Sequence, residues 1–88
     1  LDMEVIYSSK FIREYKKLPA HVKDAFEDCE KLFRQNPFDV SLKTHKLSGK
    51  LSGFLALSVD FKYRIIFEFD KNKKVIYLHS VGDHGIYE

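Results

Sequence analysis

Three apolar runs, Phe54-Leu55-Ala56-Leu57-Ser58-Val59, Arg64-Ile65-Ile66-Phe67-Glu68-Phe69 and Lys74-Val75-Ile76-Tyr77-Leu78-His79-Ser80-Val81, decide how this chain folds. Each is rich in β-branched and aromatic residues, and each is followed by turn chemistry: Asp60-Phe61-Lys62-Tyr63, Asp70-Lys71-Asn72-Lys73 and Gly82. Short connections between successive strands predict an antiparallel meander. Upstream, Ser48-Gly49-Lys50-Leu51-Ser52-Gly53 reads as a polar turn, and the sequence before it has a different period. Phe11, Tyr15 and Leu18 recur at helical spacing after Ser8-Ser9, a cap signal, and Pro19 ends that helix. Val22, Ala25, Phe26, Cys29, Leu32 and Phe33 form the apolar stripe of a second helix, with charges opposite and Asn36-Pro37 as its stop. Glu4-Val5-Ile6-Tyr7 is a first short strand. The expected order is therefore β-α-α-β-β-β: an α+β fold, an antiparallel sheet with an N-terminal helical hairpin on one face.

The 88 residues hold 44% hydrophobic, 15% aromatic and 32% charged side chains, the mix of a globular chain rather than a disordered one. That length suits one domain spanning 1–88. One cysteine cannot close an internal disulfide, so a reducing, cytoplasmic setting is the expectation. No apolar run nears the roughly 20 residues that cross a bilayer, which sets membrane readings aside. Met3, behind Leu1-Asp2, reads as a native start.

The net charge of +2 is unevenly spread. Residues 1–36 carry seven Lys/Arg against seven acids, whereas 43–64 carry five Lys/Arg and His45 against Asp60 alone. Local positive excess attracts polyanions, although a solvated lysine-rich loop has the same composition.

Of the four histidines, His21 opens a helix among charges, His45 sits between Lys43 and Lys46, and His79 lies within the last strand. His84 follows the strand end, where a side chain can reach over a sheet. Alternation predicts that Val75, Tyr77 and His79 point one way and Ile76, Leu78 and Ser80 the other. Cys29 lies on an apolar stripe and reads as a buried thiol. Neither His-x-x-x-His nor Cys-x-x-Cys occurs, so no metal site is expected, and no cofactor. A Gly-x-Ser-x-Gly elbow and a phosphate loop are missing too. What remains is a cationic set (His45, Lys46, Lys50, Lys62, Arg64, His84) with aromatics near strand ends (Phe54, Phe61, Tyr63, Tyr87). Cations hold phosphates and aromatics stack bases, which points to single-stranded RNA.

Four segments in this order resemble the RelE/ParE superfamily of type II toxin-antitoxin toxins. They are Tyr7-Ser8-Ser9-Lys10-Phe11; His45-Lys46-Leu47-Ser48-Gly49-Lys50-Leu51-Ser52-Gly53-Phe54; Tyr63-Arg64-Ile65-Ile66-Phe67; and Ser80-Val81-Gly82-Asp83-His84 with Tyr87. The His-x-Leu-x-Gly loop and the Gly-x-His ending are most similar to the YafQ-type branch. The resemblance implies a RelE-like microbial RNase fold and a metal-independent endoribonuclease that cuts mRNA on the ribosome. It implies a cognate antitoxin as partner, with mRNA and the ribosome as targets, and no membrane or small-molecule cofactor. By the family pattern His45 and His84 transfer protons, Arg64 contacts the scissile phosphate, and Tyr87 is the C-terminal aromatic. Lys43, Lys46, Lys50, Lys62 and Tyr63 would hold RNA. Ser58 and Lys62 stand where the YafQ-type pattern has a second histidine and an aspartate, and three rather than four steps separate His84 from Tyr87. A ParE-like gyrase inhibitor, or a domain that only binds an antitoxin, shares the same resemblance. For Arg64 the alternative reading is a salt bridge to Glu68 or Asp60, and for Tyr87 a cover over the sheet.

Overall fold

A computed structural model describes residues 2–87. Its elements are β1 (Glu4–Tyr7), α1 (Ser9–Lys16), α2 (Ala20–Gln35), β2 (His45–Lys46), β3 (Leu55–Ser58), β4 (Arg64–Phe69) and β5 (Val75–Gly82). Single 3-10 turns cover Val40–Leu42, Gly49–Leu51 and His84–Tyr87. The α+β order read from the sequence is present, with three features it did not foretell.

First, the sheet is mixed. Its order is β1-β5-β4-β3-β2, and β1 lies parallel to β5 while the other pairs are antiparallel. The meander thus gains the N-terminal strand on the far side of the C-terminal one, a pairing no local turn announces. Second, His45–Lys46 form a short edge strand against Ala56 and Leu55, where a polar loop was expected. Third, β5 carries a bulge. Ile66 faces Ser80 while Phe67 faces Leu78, leaving His79 as the extra residue. The bulge breaks the simple alternation. Leu78 and Val81 both join the core, and Ser80, expected on the side of Leu78, is buried against the opposite face beside Ile66.

Both helices cover one face. Phe11 from α1 and Phe26, Cys29 and Phe33 from α2 pack on Leu55, Leu57, Ile65, Phe67, Ile76, Leu78 and Val81. Aromatic rings thread through this layer: Phe11 lies 5.8 Å from Phe26, which lies 6.2 Å from Phe33. No helix among the described residues is long and apolar enough to cross a membrane.

Ser8 is the joint between α1 and the sheet. As the helix N-cap its Oγ accepts from Phe11 N at 2.9 Å, and the same hydroxyl donates to the His79 carbonyl at 2.9 Å. Its own N–H donates to the Leu78 carbonyl at 3.0 Å. A second strap runs from α1, where Glu14 accepts from Val81 N at 3.2 Å. On the other side, Tyr7, Glu30 and Arg34 link β1 to α2, with Arg34 Nη1 donating to the Met3 carbonyl at 3.4 Å.

Ser8→Ala removes the cap and leaves the His79 carbonyl without its partner, so urea denaturation should report a loss of about 1–2 kcal/mol. Ser8→Asp keeps an acceptor for Phe11 N but has no proton to donate, and should recover only part of that loss. Burial pushes the Cys29 thiol from 9.0 up to about 12. The native thiol should therefore ignore an aromatic disulfide reagent at pH 8 and react fully once urea unfolds the chain. Between pH 9.0 and about 12 the unfolded chain releases this proton while the folded chain keeps it, so this group lowers stability as pH rises.

Candidate functional site

The face of the sheet away from α1 and α2 carries no α-helix, though the 84–87 turn packs against β4 and β5, and its rows follow from register. Ser58, Arg64 and Gly82 form one cross-strand row, and His45, Ala56, Ile66 and Ser80 form the next. Ala56, Ile66 and Ser80 are buried and give this face a floor of small and aliphatic side chains. His45 and Arg64 therefore share a face, and Gly82 leads directly into the turn bearing His84 and Tyr87.

His45 is exposed on the outer strand, with Nδ1 at 2.9 Å from the Lys43 carbonyl. A carbonyl only accepts, so Nδ1 carries the proton and Nε2 of the neutral ring is a free acceptor. Lys43 is held in the left-handed region at φ 53°, which turns its carbonyl toward the ring. Lys46, one step further along, sits in the row of Leu55, Phe67 and Leu78 on the helix side. The strand period thus separates it from His45.

Arg64 does not make the carboxylate salt bridge considered from sequence. Its Nη1 donates to the carbonyls of Asp60 at 2.6 Å and Tyr63 at 3.0 Å, and its Nη2 to that of Phe61 at 3.2 Å. With those three bonds made, Nε–H and one Nη2 hydrogen remain for a ligand.

His84 is exposed, and Tyr87 is half-buried against the turn before β3, where it lines a hollow of about 340 Å³ with Leu47, Ser48, Lys50 and Leu51. Lys50 and Tyr87 are thereby brought together. Lys62 stands at the tip of the β3–β4 loop with Nζ 5.6 Å above the Tyr63 ring. Tyr63 in turn lines a cleft of about 430 Å³ whose walls include Lys10, Lys17, Gly82 and Asp83.

Two further groups border this face: His79, weighed among the four histidines but not placed in the site, and Lys10. His79 Nε2 is 3.1 Å from Glu68 Oε2, and its ring stands edge-on to Phe54 at 4.9 Å. Alternation puts His79 on the side of Tyr77, as read from the sequence, but that Glu68 pairs with Tyr77 there is settled only by register. Lys10 lines both the 430 Å³ cleft and a neighbouring 320 Å³ cleft with Phe54, His79 and Ile86. Its position after the Ser8 cap was the available signal, because a cap tied to a strand brings the first helical turn to the sheet edge. Among the described residues no three His, Cys, Asp or Glu side chains gather as a metal site.

No protein-family model matches the sequence, and no curated protein does. Solved structures do match over nearly the whole chain. The RelBE2 toxin-antitoxin complex from Mycobacterium tuberculosis contains a chain with TM-score 0.79 at 16% identity, covering 96% of this chain and 100% of that one. The fold is that of the RelE-like toxins. An archaeal RelE-RelB complex from Pyrococcus horikoshii gives TM-score 0.78 at 18% identity, with 97% and 98% of the two chains covered. YafQ from E. coli gives 0.75 at 18%, with 97% of each covered. In this chain His45, Arg64 and the start of the His84 turn lie on the sheet face that α1 and α2 leave uncovered.

Gly82 fixes how closely that turn can approach. A Cβ there would come within 2.5 Å of Ile86 Cγ2, so Ile86 packs where only hydrogen fits. Gly82→Ala should displace the 84–87 turn while leaving the core intact. NMR should show shifted amide resonances for His84–Tyr87 and unchanged ones for Phe33 and Leu57, with stability lowered by about 1 kcal/mol.

Proposed function

We propose that this chain is the toxin of a type II toxin-antitoxin pair and that it cuts mRNA on the ribosome without a metal. The observation that supports this most directly is the helix-free sheet face of a RelE-like fold, which carries an exposed histidine and a partly free guanidinium in adjoining rows. RNA cleavage through the 2′-hydroxyl needs a base to take that proton, a cation to stabilise the crowded phosphorane, and an acid to protonate the leaving 5′-oxygen. The products are a 2′,3′-cyclic phosphate and a free 5′-hydroxyl.

In this reading His45 is the base, through the Nε2 left free by the Lys43 carbonyl. Arg64 offers Nε–H and its remaining Nη2 hydrogen to the phosphate, already oriented by the three loop carbonyls. His84 is the acid, exposed at the head of the face. Tyr87 and Lys50, sharing one hollow, hold a flanking nucleotide by ring and charge. Lys43, Lys62 and Tyr63 add contacts along the strand path, and Lys46 serves RNA only where it wraps the sheet edge. Small size leaves message selection to the ribosome. The cognate antitoxin is a protein segment that covers the basic face with acids.

The second reading, a ParE-like toxin that inhibits gyrase by binding, draws on the fact that Arg64 is already engaged by its own loop. The two part cleanly. In the ribonuclease reading, primer extension after induction shows new 5′ ends on messages, and His84→Ala lowers this cleavage by about 10²–10⁴-fold with the fold intact. Growth arrest with intact transcripts, persisting in a His45→Ala, His84→Ala double variant, would overturn it in favour of gyrase.

A further inference from the structure

The β3–β4 loop holds an exposed aromatic on a scaffold too well tied to be a slack connection. Phe61 is 91% exposed at its tip. Another exposed aromatic, Phe38, is 55% exposed and rests its ring on Phe69 at 5.8 Å, whereas no ring among the described residues stacks on Phe61. The loop around it is bonded from both ends. Asp60 Oδ1 accepts from Lys62 N at 2.8 Å and Tyr63 N at 2.7 Å, and Val59 N donates to the Tyr63 carbonyl at 2.9 Å. Arg64 ties the carbonyls of Asp60, Phe61 and Tyr63 to one guanidinium. The backbone that presents this ring to water is pre-organised by these bonds, so a ligand that covers the ring does not have to order the loop.

We propose that Phe61 is a stacking platform for an unstacked base of single-stranded RNA, which rests on the ribonuclease reading and extends its path beyond Arg64. The chemistry beside the ring favours a base over a protein partner. A protein hot spot wants an apolar rim that excludes water, and the neighbours of Phe61 in sequence are Asp60 and Lys62. A base needs only one open ring face and a nearby cation for its phosphate. Lys62 supplies the cation, and the Asp60 carboxylate, the one acid in the loop, is occupied by two backbone N–H groups. Arg64 sets the geometry: the guanidinium proposed to meet the phosphate also holds the Phe61 carbonyl at 3.2 Å, which fixes the backbone that carries the ring beside the phosphate site.

The chain has no tryptophan, so Phe61→Trp introduces a single reporter at the tip. The full chain is titrated with a short single-stranded RNA of mixed sequence at low salt. Stacking quenches the indole fluorescence of this variant on addition of RNA, and the variant binds about as tightly as the native chain. Phe61→Ala weakens binding by about 5- to 100-fold. Phe61→Leu, which keeps apolar bulk without a π face, weakens it nearly as much. Since the side chain lies in water, circular dichroism and melting should be unchanged in all three. Binding that is equal for native, Ala and Leu chains overturns the platform while leaving the ribonuclease reading in place. Leu binding as well as Phe also overturns it, because the contact is then apolar rather than stacked. Loss of a protein partner by Phe61→Ala with RNA affinity unchanged overturns it in favour of a protein dock. If the native chain itself neither binds nor cuts RNA, the ribonuclease reading falls and the platform with it.

Discussion

The parallel seam between β1 and β5 is the constraint on which the rest of the molecule depends. Glu4 to Tyr7 lie beside Val75 to Leu78, so the two ends of the chain are joined side by side. The seam continues past the strand: Ser8 donates from its N–H to Leu78 and from its hydroxyl to His79 while capping α1. One residue thus fixes where the strand stops, where the helix starts and where both stand against β5. Phe11 follows within the first turn of α1, 2% exposed, and anchors the aromatic layer that both helices press onto the sheet. With β5 held by β1 on one side and β4 on the other, Gly82 is brought opposite Arg64, and the C-terminal turn begins at the head of the open face.

The fold spends little of its chain on the functional face, and much of that chain has two duties. Arg64 begins β4 and clamps the loop before it, so the residue that orients the tip is also a cation in the Gly82 row. Carbonyl clamping lowers the entropy a long side chain loses when it meets a ligand, because its rotamer is already chosen. The bulge at His79 acts likewise. It returns Val81 to the core for packing, and the residue it leaves over points at Glu68 on the open side.

Two positions near Arg64 have definite surroundings. Ser58 is the β3 member of the row that contains Arg64, a small neutral group beside the guanidinium rather than a titrating one. Lys62 places its ammonium over the Tyr63 ring, where the π face partly compensates its charge. A fold fixes where a site can be, and the side chains set in it decide what it does.

Residue pattern alone determined the helices, the three long strands, the buried Cys29 and the concentration of positive charge in the second half. Those features are local: a stripe at helical spacing, a cap at Ser8 and turn residues at Asp60 and Asp70 are written in neighbouring residues. The candidate residues His45, Arg64, His84 and Tyr87 were legible as chemical types in order, yet their relations were not. The β1–β5 pairing joins segments about 70 residues apart and has no local signal. A two-residue strand at His45 is too short to show a period, and a bulge in a strand apolar on both faces leaves the alternation ambiguous. Only the tertiary structure could decide that Lys46 faces away from His45, that Arg64 holds a loop, and that Tyr87 and Lys50 line one hollow. Each depends on which strands lie side by side, and register across a sheet is settled by packing the whole core, not by any one segment.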